Sequence, residues 1–156
     1  DHPLHEVLAG QRFDPCLVAM LRLEPGFDAG FDAAFVNDDS PLSWIAKDSS
    51  KPGRDGENWV LHATPAWSRA NLERDFEDLA VRLADAFRGR FEKPPAIRRA
   101  FAHRWRYAQA AEPRDDGLLT VDDQRLAVSG DWLAGSRVEG AWTSGRKAGA
   151  WLVDCT

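Results

Sequence analysis

The most constraining stretch of this chain runs from Ile97 to Gln109, where residue character alternates with the two-residue period of a β-strand. Ile97, Phe101, His103, Trp105 and Tyr107 fall on one side, and Ala100, Ala102, Arg104, Arg106 and Ala108 on the other. A strand this long needs partners, and candidates lie upstream. Pro15–Leu23 is nearly continuous in apolar residues, the pattern of a strand covered on both faces. Phe31–Val36, Leu42–Lys47 and Trp59–Ala63 are shorter candidates, with the turn-forming run Asn37-Asp38-Asp39-Ser40-Pro41 between the first two.

Helices are punctuated clearly. Leu4–Gly10 reads as the tail of a helix. Thr64-Pro65 is a cap followed by proline at the first helical position, which predicts a short helix through Leu72. Asp75 caps a longer one in which Phe76, Leu79, Ala80, Leu83 and Phe87 recur at three- and four-residue spacing, and Pro94-Pro95 ends anything helical. Beyond a turn at Arg114–Gly117 come strand candidates at Leu118–Val121 and Leu126–Ser129, then a helix over Val138–Val153. The expected fold is α+β, a mostly antiparallel or mixed sheet with flanking helices.

Composition narrows the class of partner. A net charge of −5 disfavours a dedicated nucleic-acid or anionic-membrane binder, and no apolar run approaches the roughly 18–20 residues of a membrane span. Cys16 and Cys155 lack metal-ligand spacing and read as free thiols of a reducing, cytoplasmic setting, with a disulfide between them as the lesser alternative. His2 and His5 share a possible helical turn, but no carboxylate or thiol accompanies them, so no metal site is expected. Seven tryptophans and eight phenylalanines against one tyrosine imply a bulky core, an aromatic-lined pocket, or both.

The segment from Ala127 to Gly149 differs in character. Glycines fall at 130, 135, 140, 145 and 149, and Gly140, Gly145 and Gly149 lie inside the expected helix, each costing roughly 0.5–1 kcal/mol relative to alanine. Close approach would compensate, because Gly140, Ala141, Ser144, Gly145 and Ala148 offer a flat surface to another backbone or a planar ligand. The alternative is a tight helix–strand packing unit with no ligand, and spacing does not choose between them. The Gly-x-Gly-x-x-Gly dinucleotide fingerprint is absent.

A short strand ending in Gly130-Asp131, followed by Gly135-Ser-Arg-Val-Glu-Gly-Ala-Trp-Thr-Ser-Gly145, resembles the C-terminal flavin-binding motif of the renalase and flavin amine oxidase families. Trp59-Val-Leu-His-Ala-Thr-Pro-Ala-Trp-Ser68 and His103-Arg-Trp-Arg-Tyr-Ala108 are similar to further stretches of renalase-like proteins, extending the resemblance from about Arg12 onward. It implies that Asp131, with Gly130, meets the ribityl or pyrophosphate part of FAD. It also implies that the helix start at Arg137, Val138 and Glu139 aims backbone N–H groups at the flavin N1–C2=O edge, where reduced flavin carries negative charge.

The resemblance also implies an organisation: a helix end at 1–10, a substrate domain at 11–122 and a returning piece of the FAD-binding domain at 125–156. The family's strand–glycine-turn–helix for the ADP half of FAD is not in this sequence. A missing N-terminal half or companion chain is therefore expected, with little FAD affinity and no activity in the isolated 156 residues. The last strand is expected to present an unpaired edge.

The implied activity of the parent is oxidation of a small amine or of a reduced dihydronicotinamide-type compound, with dioxygen as acceptor. No catalytic residue stands out. His62 and Trp67 are candidates for the substrate pocket, each with a bland counterpart: a hydrogen-bonded strand-end histidine and a ring covering the core. The aromatic side of the long strand is core by default, but in the family the sheet forms a wall facing the flavin, which puts Trp105 and Tyr107 on the pocket. Arg106 is a further candidate for a substrate phosphate or carboxylate. From a different class, the alternative is a non-catalytic binding domain that keeps the fold without cofactor.

Overall fold

The computed structural model describes residues 2–38 and 40–154. Asp39 of the expected turn and Cys155 lie outside the described residues. The chain divides into two compact units, 15–106 and 1–14 together with 107–156.

The sheet is five-stranded: β1 (Phe13–Leu23), β2 (Ala33–Phe35), β3 (Leu42–Lys47), β4 (Asn58–Ala63) and β5 (Ile97–Ala110), in the order β2-β3-β4-β1-β5. β2 with β3, β3 with β4 and β4 with β1 are antiparallel. At opposite ends of the β1–β5 pair, Glu24 N donates to Ala96 O and Ala111 N to Arg12 O, so that pair runs antiparallel as well.

Within 15–106 the two-residue period sorts side chains between two faces. Leu17, Ala19, Leu21 and Leu23 of β1 join Trp59, Leu61 and Ala63 of β4 in one buried cluster. That face is closed by α3 (Phe76–Arg88), whose Leu79, Leu83, Ala84 and Phe87 enter the same cluster. Burying each large apolar side chain there contributes about 1.5–3 kcal/mol. Phe76, expected on the buried stripe, is instead exposed and lies beneath Arg104, whose guanidinium carbon is 4.8 Å from the ring centroid. It occupies the first helical position, where the chain has only begun to turn onto the sheet.

Two side-chain hydroxyls join strands to their surroundings. α2 (Pro65–Ala70) begins as its sequence requires, with Thr64 Oγ1 accepting from Trp67 N at 3.2 Å. Its Ser68 is fully buried and accepts a hydrogen bond from Leu17 N of β1 at 3.0 Å. In β3 the register slips by one residue between Leu42 and Trp44, a bulge at Ser43. Ser43 Oγ turns back to donate toward the carbonyls of His62 and Ala63 at 3.2 and 3.1 Å.

β1 corrects the expectation of a strand covered on both faces. Val18 is buried opposite the core side, but Met20 and Arg22 are exposed. The run reads as continuously apolar because Val18 and Met20 are apolar on a face that the helices leave open.

In the other unit, α1 (His5–Gly10) is a short helix. β6 (Leu119–Val121) and β7 (Leu126–Val128) form a two-stranded antiparallel ladder with Thr120 opposite Ala127. The expected unpaired edge of the last strand is thus corrected on one side: a 3-10 turn at Asp122–Gln124 and a left-handed Arg125 (φ 48°, ψ 42°) fold β6 back onto it. A second 3-10 turn, Asp131–Leu133, leads to α4 (Val138–Asp154). The segment after β5 is laced along that turn, with Arg114 N donating to Trp132 O and Gly117 N to Leu133 O at 2.8 and 2.7 Å. Leu133 is completely buried.

Candidate functional site

Two places gather the residues singled out by sequence: the sheet face of 15–106 that α3 does not cover, and the head of α4.

The outward face of the sheet is aromatic. Phe35 of β2 stands opposite Trp44 of β3 with ring centroids 4.6 Å apart, and Trp44 is in turn opposite His62 of β4. His62 faces Val18 of β1. On β5, Ala100 and Ala102 pack against the core, so Phe101, His103 and Trp105 point the other way. The rings of His103 and Trp105 meet edge to face at 4.6 Å. Phe35 is 76% exposed, Phe101 54% and Trp105 56%. This inverts the default expectation for the long strand. Its small-residue side is inside, because alanine lets β5 approach the core closely, and its aromatic side is outside; Ile97, expected to share a side with the aromatic residues, packs instead against the core with Ala100 and Ala102. Tyr107 belongs to the other unit and is 81% exposed.

His62 is half-buried between Val18 and Trp44, and desolvation pushes its imidazole pKa below the ordinary value. At neutral pH it is therefore an uncharged ring that can donate one hydrogen bond and accept another. The thiol of Cys16, also half-buried, is pushed up by burial, against the weaker lowering effect of its contact with Ala63 O. It is a thiol rather than a thiolate at neutral pH.

Trp67 is placed otherwise. It packs, partly buried, against the core cluster on the helix side of the sheet, the contact of a core-covering ring. Arg106 makes a two-point ion pair with Glu73, at 2.6 and 2.9 Å, which holds the Glu73 carboxyl below its usual range. Its guanidinium already has a carboxylate partner and is not waiting for a substrate anion. His2 Nε2 lies 3.0 Å from Gln124 Oε1, and no group of three or more metal-ligating side chains occurs among the described residues.

At the head of α4, the glycine-rich surface splits in two. Gly140 and Ser144 are buried, four residues apart on one side of the helix. A Cβ on Gly140 would collide with the carbonyl oxygen of Ala134. Ser144 Oγ accepts a hydrogen bond from Gly130 N at 2.9 Å. These residues therefore serve a tight helix–loop contact, the packing alternative. Gly145 and Gly149 have nothing within 4 Å of a Cβ position, and Ala141 is exposed. Close packing does not account for them.

Four of the five expected flavin contacts, Asp131, Arg137, Val138 and Glu139, line one open cleft with Ser136 and Ala141. Gly130, the fifth, is not in that lining; its N–H donates to Ser144 Oγ. Asp131 contributes its backbone carbonyl to this turn, accepting from Ala134 N and Ser136 N at 2.9 and 2.8 Å. Ser136, in a left-handed conformation (φ 52°), carries a buried Oγ without a hydrogen-bond partner among the described residues. The first N–H groups of α4 have no intrahelical acceptor. The cleft thus combines backbone donors and an orphaned hydroxyl with carboxylates that can only accept, a set that fits a polar ligand carrying both acceptor oxygens and hydroxyl groups.

Sequence reasoning singled out His62, Trp105 and Tyr107 but passed over Phe35, Trp44 and Met20, which share the open face with His62 and Trp105. Their signal was present as odd–even phase on β2, β3 and β1. On β3 the bulge at Ser43 interrupts that phase. No family model matches the chain. No helix among the described residues is long and apolar enough to cross a membrane.

Proposed function

We propose that this chain is the C-terminal part of a renalase-like, FAD-dependent oxidoreductase that oxidises a small amine or dihydronicotinamide-type compound with dioxygen as acceptor. The observation that carries this reading is the cleft at the head of α4, where Asp131, Ser136, Arg137, Val138 and Glu139 come together. Asp131 would take a hydroxyl of the ribityl chain or a pyrophosphate neighbour, and the first turn of α4 would direct N–H groups at an electron-rich ring edge. A bound flavin would supply hydride acceptance and reoxidation by dioxygen.

The chain's own contribution on the substrate side is the open aromatic face. Trp105, with His103 against it, provides an apolar wall for a flat ring, and the uncharged His62 offers a polar handle without the cost of a buried charge. The substrate domain of a flavin amine oxidase-like fold is the finer form of this reading.

The test is made on a polypeptide that carries this chain together with a nucleotide-binding half. Purified as such, it should be yellow, with flavin absorbance near about 450 nm, and Asp131→Ala should lower flavin occupancy several-fold. A colourless preparation that takes up no added FAD would sink the proposal. Unchanged occupancy in the variant would remove Asp131 from it.

A further inference from the structure

The guanidinium groups of 15–106 are for the most part already engaged, as Arg98 is with Glu24 at 2.6 Å and Arg106 with Glu73. Arg22 and Arg99 differ. Neither has a carboxylate partner among the described residues, and both belong to the open aromatic face. Arg22 lies between the buried Leu21 and Leu23 and so points away from the core. Arg99 extends over the ring of Phe101, 5.9 Å from its centroid. The hydrogen bond from Glu24 N to Ala96 O brings β1 and β5 together at this end, so the two cations share one corner of the sheet. The nearby Glu24 is neutralised by Arg98, which holds its carboxyl below the usual range. Beside the cations lie Met20, Val60, which is its register partner on β4, and Phe101. Rings and aliphatic surface next to two unpaired guanidiniums make a platform with an anion anchor.

We infer that this corner binds a small planar heteroaromatic compound carrying a phosphate, its ring on Met20, Val60 and Phe101 and its phosphate at Arg22 and Arg99. The inference deepens the oxidoreductase proposal, on which it rests for reading the face as a substrate wall. Dimensions agree: adjacent strands are about 4.8 Å apart and residues on one face of a strand recur every 6–7 Å or so, the span from a nucleotide's base to its phosphate. A single-stranded nucleic acid uses the same chemistry, but it requires cations tracking along the whole face. Here they are confined to one corner, on a chain of net charge −5.

The experiment is calorimetric titration of the chain with AMP and with adenosine, which differ only in the phosphate, repeated on Arg22→Gln/Arg99→Gln. Both side chains are exposed, so the variant should keep the wild-type melting temperature. AMP should bind at least about tenfold more tightly than adenosine, the scale of a charge-assisted contact, and the variant should bind both equally weakly. Equal affinities in the wild type, discrimination that survives in the variant, or no binding of either compound would overturn the assignment. So would an oligoadenylate of roughly eight nucleotides that binds far more tightly than AMP, since that is the signature of a strand-binding groove. A yellow parent without phosphate discrimination would sink only this inference, and a colourless parent that retains it would sink only the flavin reading.

Discussion

The two faces of the five-stranded sheet are built from the same strands and are both apolar, yet only one is closed. On the inner face, Leu17, Ala19, Leu21 and Leu61 meet α3 and are almost entirely removed from water. On the outer face, Phe35, Phe101 and Trp105 are more than half exposed. Hydrophobicity alone therefore does not decide which side of a strand becomes core. On β5 the contact with the cluster is made by Ala100 and Ala102, which are small enough to let the strand seat closely against it. The proposed substrate wall rests on this difference, since contiguous exposed rings are more than a folded chain needs for its own packing.

The largest expected effect breaks the symmetry between the faces directly. Phe87→Ala, on the closed side, should cost about 3–5 kcal/mol through lost burial and the cavity left behind. Trp105→Ala, which removes more side chain from the open side, should cost under about 1 kcal/mol. Urea denaturation of both variants measures this, and comparable losses would mean that the outer face is closed in solution.

A second contrast of the same kind lies within α4. Gly140→Ala forces a methyl group against the Ala134 carbonyl and should destabilise the chain by about 1–3 kcal/mol. Gly145→Ala meets open space and should stabilise the helix by about 0.5–1 kcal/mol. Thermal melts of the two variants should move in opposite directions. If both lose stability, the region around Gly145 is covered by something as tight as the Ala134 loop.

The smallest effect sharpens the picture of the outer face. Because burial depresses the pKa of His62, the unfolded chain takes up its proton before the folded one does. Its contribution to stability is complete above the ordinary value of 6.5 and is lost as pH falls through the depressed folded value. The carboxylates held low by arginine, such as Asp78 with Arg82, act in a lower window, below the usual carboxylate range near about 4. Denaturation midpoints measured between neutral pH and about pH 5 should fall in the wild type and stay flatter in His62→Gln. Parallel profiles would mean that the ring is hydrated in the folded state.

Much of the architecture was legible as local chemistry. Thr64-Pro65 and Asp75 cap the helices they were expected to cap, and Pro94-Pro95 separate α3 from β5. The α+β class and the antiparallel pairings agree with period and turn spacing. The facing of β5 was not legible, because Phe101 and Trp105 carry more hydrophobic signal than the alanines that set the contact. Nor was the double nature of the glycine segment, since Gly140 and Gly145 are identical letters and only the path of the 130–134 loop distinguishes them. The cleft at the head of α4 brings together residues close in sequence, so its membership was readable from one motif. The open aromatic corner with Arg22 and Arg99 was not, because it joins positions from opposite ends of 15–106.

The bulge at Ser43 gives the β3 segment a strict dependence on chain length. Leu42 and Ile45 are three residues apart yet both lie in the core, an odd spacing that a regular strand places on opposite sides. The additional residue resets the phase, and the Ser43 hydroxyl holds the reset by sharing its one proton between the carbonyls of His62 and Ala63. Shortening the chain there by one residue would leave its composition almost unchanged, but either Leu42 would leave the interior or Trp44 and His62 would no longer stand side by side. Relatives that keep this sheet face would therefore accept many substitutions between positions 42 and 45 but few insertions or deletions.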